Sequence, residues 1–279
     1  MTAKLLAHTI SINGPDALAF AHAQFSSHVD SLAVGQWQFS AWLDPRGRVR
    51  ALFHLARCGE DALFLLLRGG DAPAIAEALR RFVFRSRVSI AAAAGSRLRG
   101  GPALPLHSIR CGPDGLVLGC GGHSLQAGTE EGADAGDPGD DEDLDDMCWR
   151  VQQLRAGWPW LPDTALDRWL APDLSLQRLR AVVTDKGCYP GQEIVARMHF
   201  RGVHKHHLCN VVSTARLQAG EPLRVAGRDA GCILEAIAAD AGFEALAVLG
   251  DETVNDIING RLDVHNEKTS IRLQQIWPA

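Results

Sequence analysis

Near its start the chain switches from a helical to an alternating pattern of apolar positions. Asn13-Gly14-Pro15-Asp16 forms a turn and cap, after which Leu18, Ala21 and Phe25 recur at i, i+3 and i+7. That spacing predicts a helix over about 16–28. From Gly35 to Trp42 polar and apolar residues alternate, the period of a half-buried strand. Asp44-Pro45-Arg46-Gly47 then turns the chain, Val49, Ala51, Phe53 and Leu55 alternate again, and Gly59-Glu60-Asp61 leads into a third strand, Ala62–Leu67. Three strands joined by tight turns read as an antiparallel meander. Asp71 caps a second predicted helix, with Ile75, Leu79 and Phe82 on one face. Helix, meander and helix indicate an α+β body rather than a parallel βαβ sheet.

Further along, Asp173 is expected to cap a helix carrying Leu174, Leu176, Leu179 and Val182. Beyond Lys205 the pattern becomes short strands with glycine turns: Leu208–Val212, Leu223–Val225, Cys232–Ile237 and Ala245–Leu249. Such spacing predicts a small C-terminal β-barrel over 206–279. The rest, 1–205, is expected to be a body of two interleaved subdomains with an acidic loop at 129–146.

Composition changes this picture in three places. The 279 residues are 46% hydrophobic and 22% charged, which suits a chain with a real core, and no run approaches a membrane span. The N-terminus shows no apolar leader core, so a cytoplasmic protein is expected. Residues 129–146 hold ten acids and no base, which leaves a net charge of about +5 on the rest of a chain whose total is −5. That balance welcomes a small anionic ligand but lacks the dense basic face of a nucleic-acid binder, and no direct nucleic-acid contact is expected. The acidic segment reads either as a solvated surface insertion or as a docking site for a basic partner. The seven cysteines are widely spaced and contain no Cys-x-x-Cys, which argues against a disulfide framework or zinc ribbon. Cys58, Cys111, Cys120, Cys148, Cys209 and Cys232 are read as small buried residues. No dinucleotide or Walker loop occurs.

The chemistry concentrates in Thr184-Asp185-Lys186-Gly187-Cys188-Tyr189-Pro190-Gly191-Gln192-Glu193. Pro190-Gly191 demands a turn of type II with glycine at the positive-φ position. Gly187 permits close backbone approach. Tyr189 is the only tyrosine of the chain, beside nine Phe and seven Trp. If 186–188 is extended, Lys186 and Cys188 share a face, and an ammonium beside a thiol favours the thiolate. Cys188 could equally be a buried small side chain, and Lys186 a surface ion-pair partner of Asp185 or Glu193. Glu193 offers two acceptors side by side, a match for the N–H and NH2 edge of a pterin or guanine. Its alternative is an i,i+4 pair with Arg197. His199, His204, His206 and His207 match no closed zinc site, and no metal is expected there. Arg201-Gly202-Val203-His204-Lys205-His206-His207 reads instead as a basic turn suited to an anion such as a folate glutamate tail.

Lys186-Gly187-Cys188-Tyr189-Pro190-Gly191-Gln192-Glu193 resembles the signature of the YgfZ family, distant relatives of the glycine-cleavage T-protein aminomethyltransferase. Phe20–Val29, Trp42–Val49 and Ala156–Pro162 resemble the family's early helix, first hairpin and the stretch before the signature. The resemblance implies a T-protein-like multidomain body of antiparallel sheets with helices, binding a reduced folate such as tetrahydrofolate. It also implies an accessory role with Fe–S enzymes or Fe–S assembly proteins, including enzymes that modify tRNA. Cys188 and Lys186 are the candidate functional thiol and its partner. Gly187, Tyr189, Gly191, Gln192, Glu193 and Arg197 are candidate folate contacts. Departures are His28, where many relatives have an acid, and Ala23, where many have glycine. The alternative is a folate-dependent aminomethyl or one-carbon transferase. The related transferases carry an Asp pair after the hairpin glycine, one of which serves catalysis, and here Arg50 and Ala51 stand in those places.

Overall fold

The meander forms as the alternation predicts, but a strand absent from that expectation sits at the heart of the same sheet. The computed structural model describes residues 6–112, 115–128, 142–202, 204–225, 228–239, 242–259, 265–266 and 269–278. The early elements are β1 (Leu6–Asn13), α1 (Ala17–Gln24), β2 (Gln36–Leu43), β3 (Val49–Gly59), β4 (Ala62–Leu67) and α2 (Ala72–Arg80). They continue with β5 (Ser89–Gly101), β6 (Ile109–Gly112), β7 (Gly115–Gly119) and β8 (Ser124–Gly128). These strands make one sheet in the order β2-β3-β4-β1-β5-β8-β7-β6, with β1 antiparallel to both β4 and β5. The fold is α+β. The chain divides into two compact units, the first made of 1–42, 51–149 and 185–190.

Burial explains why β3 departs from a simple two-faced strand. Ala51, Phe53 and Leu55 join the core with Ile10, Ile12, Phe20, Phe25, Leu63 and Leu65. Leu52, His54 and Ala56, on the other face, are fully buried as well. His54 lies 4.7 Å from the Trp37 ring and 4.8 Å from Phe39. Burial, and next the Arg68 guanidinium, hold His54 well below the usual histidine range, so it is a neutral core group.

Helix α1 is shorter than 16–28 because Phe25 leaves the helical region, with φ −99° and ψ 155°. Asp71 caps α2 as expected, accepting from the Ala74 N–H at 2.9 Å. Ile75 and Leu79 are buried, whereas Phe82 falls past the helix end and stays 37% exposed. Two other expectations are corrected. Cys58 and Cys111 are joined by a disulfide whose Cα atoms lie 6.1 Å apart. The hydrogen bonds Gly35 N to Arg57 O and Ile109 N to Gly35 O bring their strands together, a long-range pairing that spacing cannot reveal. Only Cys120, Cys209 and Cys232 of the six are buried free thiols, and Cys148 is exposed. Of the acidic segment, 129–141 lies outside the described residues, while 142–146 opens α3 (Glu142–Arg155).

The second unit comprises 43–50, 150–184 and 191–279. Its helices are α4 (Gln192–Arg201) and α5 (Asp251–Ile258), and its strands are β9 (His206–Ser213), β10 (Pro222–Val225), β11 (Arg228–Ala239), β12 (Gly242–Gly250), β13 (His265–Asn266) and β14 (Thr269–Ile276). The strands form a six-stranded sheet in the order β10-β11-β12-β9-β14-β13. Cys209, Val211, Leu223, Ile233, Ala245, Ala247 and Leu249 are its core. From α3, Arg150 reaches Glu235 at 3.3 Å and Arg155 reaches Glu244 at 2.8 Å. No α-helix follows Asp173. Pro172–Leu174 is a single 3-10 turn, ended by Ser175 at φ 55°. The Asp173 carboxylate accepts from the Leu170 N–H, so it closes a turn instead of capping a helix. Leu174, Leu176 and Val182 are nevertheless buried, whereas Leu179 is only partly so.

Candidate functional site

Two turns that the sequence singled out separately come together in the second unit. In the hairpin tip, Asp44 Oδ1 accepts from the N–H groups of Arg46 and Arg48, both at 2.8 Å, and Gly47 takes φ 78°. Gly191 takes φ 80° and ψ −2°, the third position of a type II turn, and directly precedes α4. The close approach is set by glycine on both sides. A Cβ on Gly191 would stand 2.5 Å from the Asp44 carbonyl oxygen and 2.9 Å from the Gly47 Cα. A Cβ on Gly47 would stand 3.0 Å from the Ile194 side chain. The start of α4 is thereby fixed against the hairpin tip, and with it the directions of Gln192 and Glu193. Val195 is the buried residue of this helix.

Glu193 is exposed in the first turn of α4, and Arg197 is exposed one turn later. The i,i+4 pair between them does not form, since neither takes part in an ion pair or side-chain hydrogen bond among the described residues. Both groups thus face solvent uncommitted on one helix. Arg50 pairs with Asp167 at 3.4 Å, and Val49 exchanges backbone hydrogen bonds with Trp169 and Asp167.

The first half of the signature, 185–190, lies in the first unit and behaves differently. The chain bends at Lys186 and Gly187 and forms no strand there, so a shared strand face is not what relates Lys186 to Cys188. Lys186 Nζ donates to the carbonyls of His22, Phe25 and Ser27 at 2.6, 2.7 and 2.8 Å. An ammonium carries three hydrogens, and these carbonyls accept three. They lie at and just beyond the C-terminal end of α1, where a cation is favoured by the helix dipole. Lys186 Nζ also lies 5.3 Å from the Tyr189 ring centroid. Burial draws the Lys186 pKa down to about 8, with the Asp30 carboxylate opposing it. Tyr189 is 6% exposed, and burial, then the Asp185 charge, push its phenol upward. Cys188 is an exposed free thiol. By contrast, burial pushes Cys120 and Cys209 up to about 12 and raises Cys232. A Cβ on Gly187 would meet nothing within 4 Å, so close approach to another strand does not explain that glycine.

Around Lys186, His22 and Asp30 carried no role in the sequence reading and His28 entered it only as a departure. His28 Nε2 meets Asp185 Oδ1 at 2.9 Å. His22 Nδ1 accepts from the Asp30 N–H at 3.3 Å and lies 3.2 Å from its carboxylate. Burial first, then the Lys186 charge, lower the His22 pKa, in keeping with a neutral accepting ring. The arrangement depends on contacts between residues some 160 positions apart, for which local spacing carries no signal.

The remaining histidines are used singly. His207 pairs with Asp251 at 2.9 Å and His206 with Asp173 at 3.5 Å, where burial raises the Asp173 carboxyl. Among the described residues, no group of three or more His, Cys, Asp or Glu could hold a metal ion.

No family model matches the chain. It is 29% identical over 201 residues to an uncharacterized protein of Haemophilus influenzae, which spans 70% of this chain and 67% of the relative. It is 26% identical over 290 residues to the tRNA-modifying protein YgfZ of Edwardsiella ictaluri, covering 93% of this chain and 87% of the relative. The YgfZ of Aliivibrio fischeri is 32% identical over 141 residues, or 41% of its length. Among solved structures, the glycine cleavage system aminomethyltransferase T of Bartonella henselae superposes with a TM-score of 0.66 at 16% identity, covering 88% of this chain and 76% of that one. That likeness is one of fold. No helix among the described residues is long and apolar enough to cross a membrane. Its sequence relatives thus include YgfZ tRNA-modifying proteins at 26% and 32% identity, and its architecture resembles the T-protein fold.

Proposed function

We propose that this protein binds a reduced folate such as tetrahydrofolate and acts as a cytoplasmic accessory protein in the assembly or maintenance of Fe–S enzymes, tRNA-modifying ones among them. The observation that carries the reading is the exposed, unpaired Glu193 at the start of α4, directly after the glycine turn that fixes its direction. A carboxylate in that state can accept both hydrogens of a pterin N–H and NH2 edge. Arg197, one turn on and equally uncommitted, suits the anionic tail of the ligand. Gln192 belongs to the same first turn. Gly191 contributes by shaping the turn, and Gly187 and the buried Tyr189 are candidate contacts on the resemblance alone. A carboxylate and a guanidinium one turn apart on α4 suit a folate, which when bound would supply a carrier of one-carbon units.

Cys188 is proposed as the functional thiol. It is exposed, whereas Cys120, Cys209 and Cys232 are buried and hard to ionise. Lys186 acts on it as a positioning residue, anchoring the segment to α1. Aminomethyl transfer is disfavoured, because Arg50 holds the hairpin position of an acid and is engaged with Asp167.

Calorimetric titration with tetrahydrofolate should show saturable binding that Glu193→Gln weakens. Absence of binding at millimolar ligand would end the folate reading. Cys188→Ala should fail to restore Fe–S enzyme activity and tRNA modification in a strain lacking the gene, and full restoration would make the thiol dispensable.

A further inference from the structure

Between α2 and β5 the chain reads Arg80-Arg81-Phe82-Val83-Phe84-Arg85-Ser86-Arg87, four guanidiniums and two phenyl rings in eight residues. Phe84 is 85% exposed, more than any other exposed large hydrophobic side chain of the described residues. The loop that carries it is held in place. Phe82 N and Val83 N donate to the Leu79 and Arg80 carbonyls, Phe84 N to Phe82 O, and Val88 N to Ser86 O. Val83 and Val88 pack against the core of the first unit, and Phe82 meets Trp42 edge-on at 6.1 Å. Phe84 therefore projects from a rooted loop.

The guanidiniums divide into two kinds. Arg80 bonds to Glu77 and to the Ile90 carbonyl, and Arg87 bonds to Asp16. Those two brace the loop ends. Arg81 and Arg85 are exposed and enter no ion pair among the described residues, so the loop presents two open positive charges beside its rings. A ring next to a guanidinium, twice over, matches a polymer that repeats a flat base next to a phosphate. Bases stack on exposed aromatic faces while arginines take the backbone. An acidic peptide would use the charges and leave the rings idle.

We propose that the 81–85 loop is a docking surface for single-stranded nucleic acid, with a base stacking on Phe84, Phe82 flanking it, and phosphates held by Arg81 and Arg85. The surface is small, which agrees with a chain that lacks an extended basic face, and it revises for this loop alone the expectation of no nucleic-acid contact. It does not rest on the folate reading, whose residues lie elsewhere in the chain.

The full-length protein is titrated at low salt into short fluorescently labelled single-stranded RNA and, separately, DNA of the same sequence, followed by anisotropy. Saturable binding is expected. Phe84→Ala should weaken it between about 5-fold and 150-fold, the range of one lost base stack, and Phe84→Trp should retain it. Arg81→Glu with Arg85→Glu should lower the slope of log affinity against log salt by about 0.7 for each phosphate that is no longer neutralised. The RNA and DNA arms decide which strand chemistry is preferred. Because Phe84 is exposed, its substitution leaves the fold intact, which circular dichroism checks. Failure to bind either strand, binding that Phe84→Ala leaves unchanged, or a preference for duplex RNA or anionic vesicles each overturns the proposal. Tetrahydrofolate binding measured on Phe84→Ala keeps the two readings apart, since it should equal wild type whatever happens to the nucleic acid.

Discussion

The two halves of the signature segment are built on opposite principles. Within 185–190 the long side chains are held by the protein: Lys186 is tied to three carbonyls and Tyr189 is buried, while the exposed Asp185 pairs with His28. Residues 191–201 are turned outward: after a turn that only glycine makes easily, Glu193 and Arg197 stand exposed and unpaired. A lysine beside a cysteine invites a reading as reactive chemistry, yet its polar hydrogens are taken by the protein's own backbone. A glutamate four residues from an arginine invites a reading as a helix pair, yet that pair is not made. Proximity in sequence does not reveal the partners of either group: Lys186 is held by three carbonyls, and Glu193 and Arg197 stay apart. Anchoring contacts are seen in the first half, and the uncommitted groups proposed to meet the ligand stand in the second, with the exposed thiol of Cys188 carried on the anchored side.

Substitution at Gly191 should break this arrangement most severely. Alanine there must adopt φ near 80° and bring a Cβ to 2.5 Å from the Asp44 carbonyl oxygen. Backbone strain and the clash together should cost about 3 kcal/mol, measured by urea unfolding, and tetrahydrofolate binding should fall with it. A stable, fully binding Gly191→Ala protein would mean that the hairpin tip does not fix α4. Lys186→Met comes next. It leaves three carbonyls without their donor and should destabilise the chain by about 2 kcal/mol. If Lys186 is an anchor, tetrahydrofolate affinity measured well below the unfolding transition should stay near wild type. A large loss of affinity with unchanged stability would instead make Lys186 a ligand contact.

What could be read in advance follows from the range of the interactions involved. The meander, the Asp71 cap, the Pro190-Gly191 turn and most C-terminal strands depend on neighbours within a few residues, so period and turn chemistry suffice. β1 joins β4 and β5 across more than fifty residues, and the Cys58–Cys111 bridge spans 53. Neither leaves a local mark. The 173–182 segment fails for another reason. Leu174, Leu176 and Val182 are buried without lying on one helix face, and Ser175 and Arg180 at positive φ break the chain into turns. At the site, the eight-residue motif was recognisable at once, while the roles within it were not. The acceptors of Lys186 at His22, Phe25 and Ser27 are set by tertiary contact alone.

A milder test bears on the outward half. Glu193→Gln keeps shape and helix but replaces one acceptor with a donor that would face the ligand's own NH2. Tetrahydrofolate affinity should drop roughly tenfold, the loss of one charge-assisted bond, while stability moves by less than about 0.5 kcal/mol. An unchanged affinity would remove Glu193 from the proposed site and leave the outward half without its central group.

The smallest expected effect is a dependence on pH that only the inward half should show. In the unfolded chain Lys186 has its ordinary value of 10.5, and burial in the folded protein draws it to about 8. Between those values the unfolded chain binds the proton more tightly than the folded one, so stability gained at this position rises with pH across that window. The rise is modest, because the ammonium is only half buried and solvent screens it. Lys186→Met has no proton to exchange, so the unfolding free energy of the wild type minus that of the variant should climb from about pH 8 toward 10.5. The three carbonyls pull the other way, since they favour the charged form. A difference that falls with pH would show that the carbonyl clamp outweighs burial and holds the proton more tightly in the fold. A flat difference would show the two in balance. The same titration on Glu193→Gln should follow the wild-type curve throughout the window, because that carboxylate has no part in anchoring the segment.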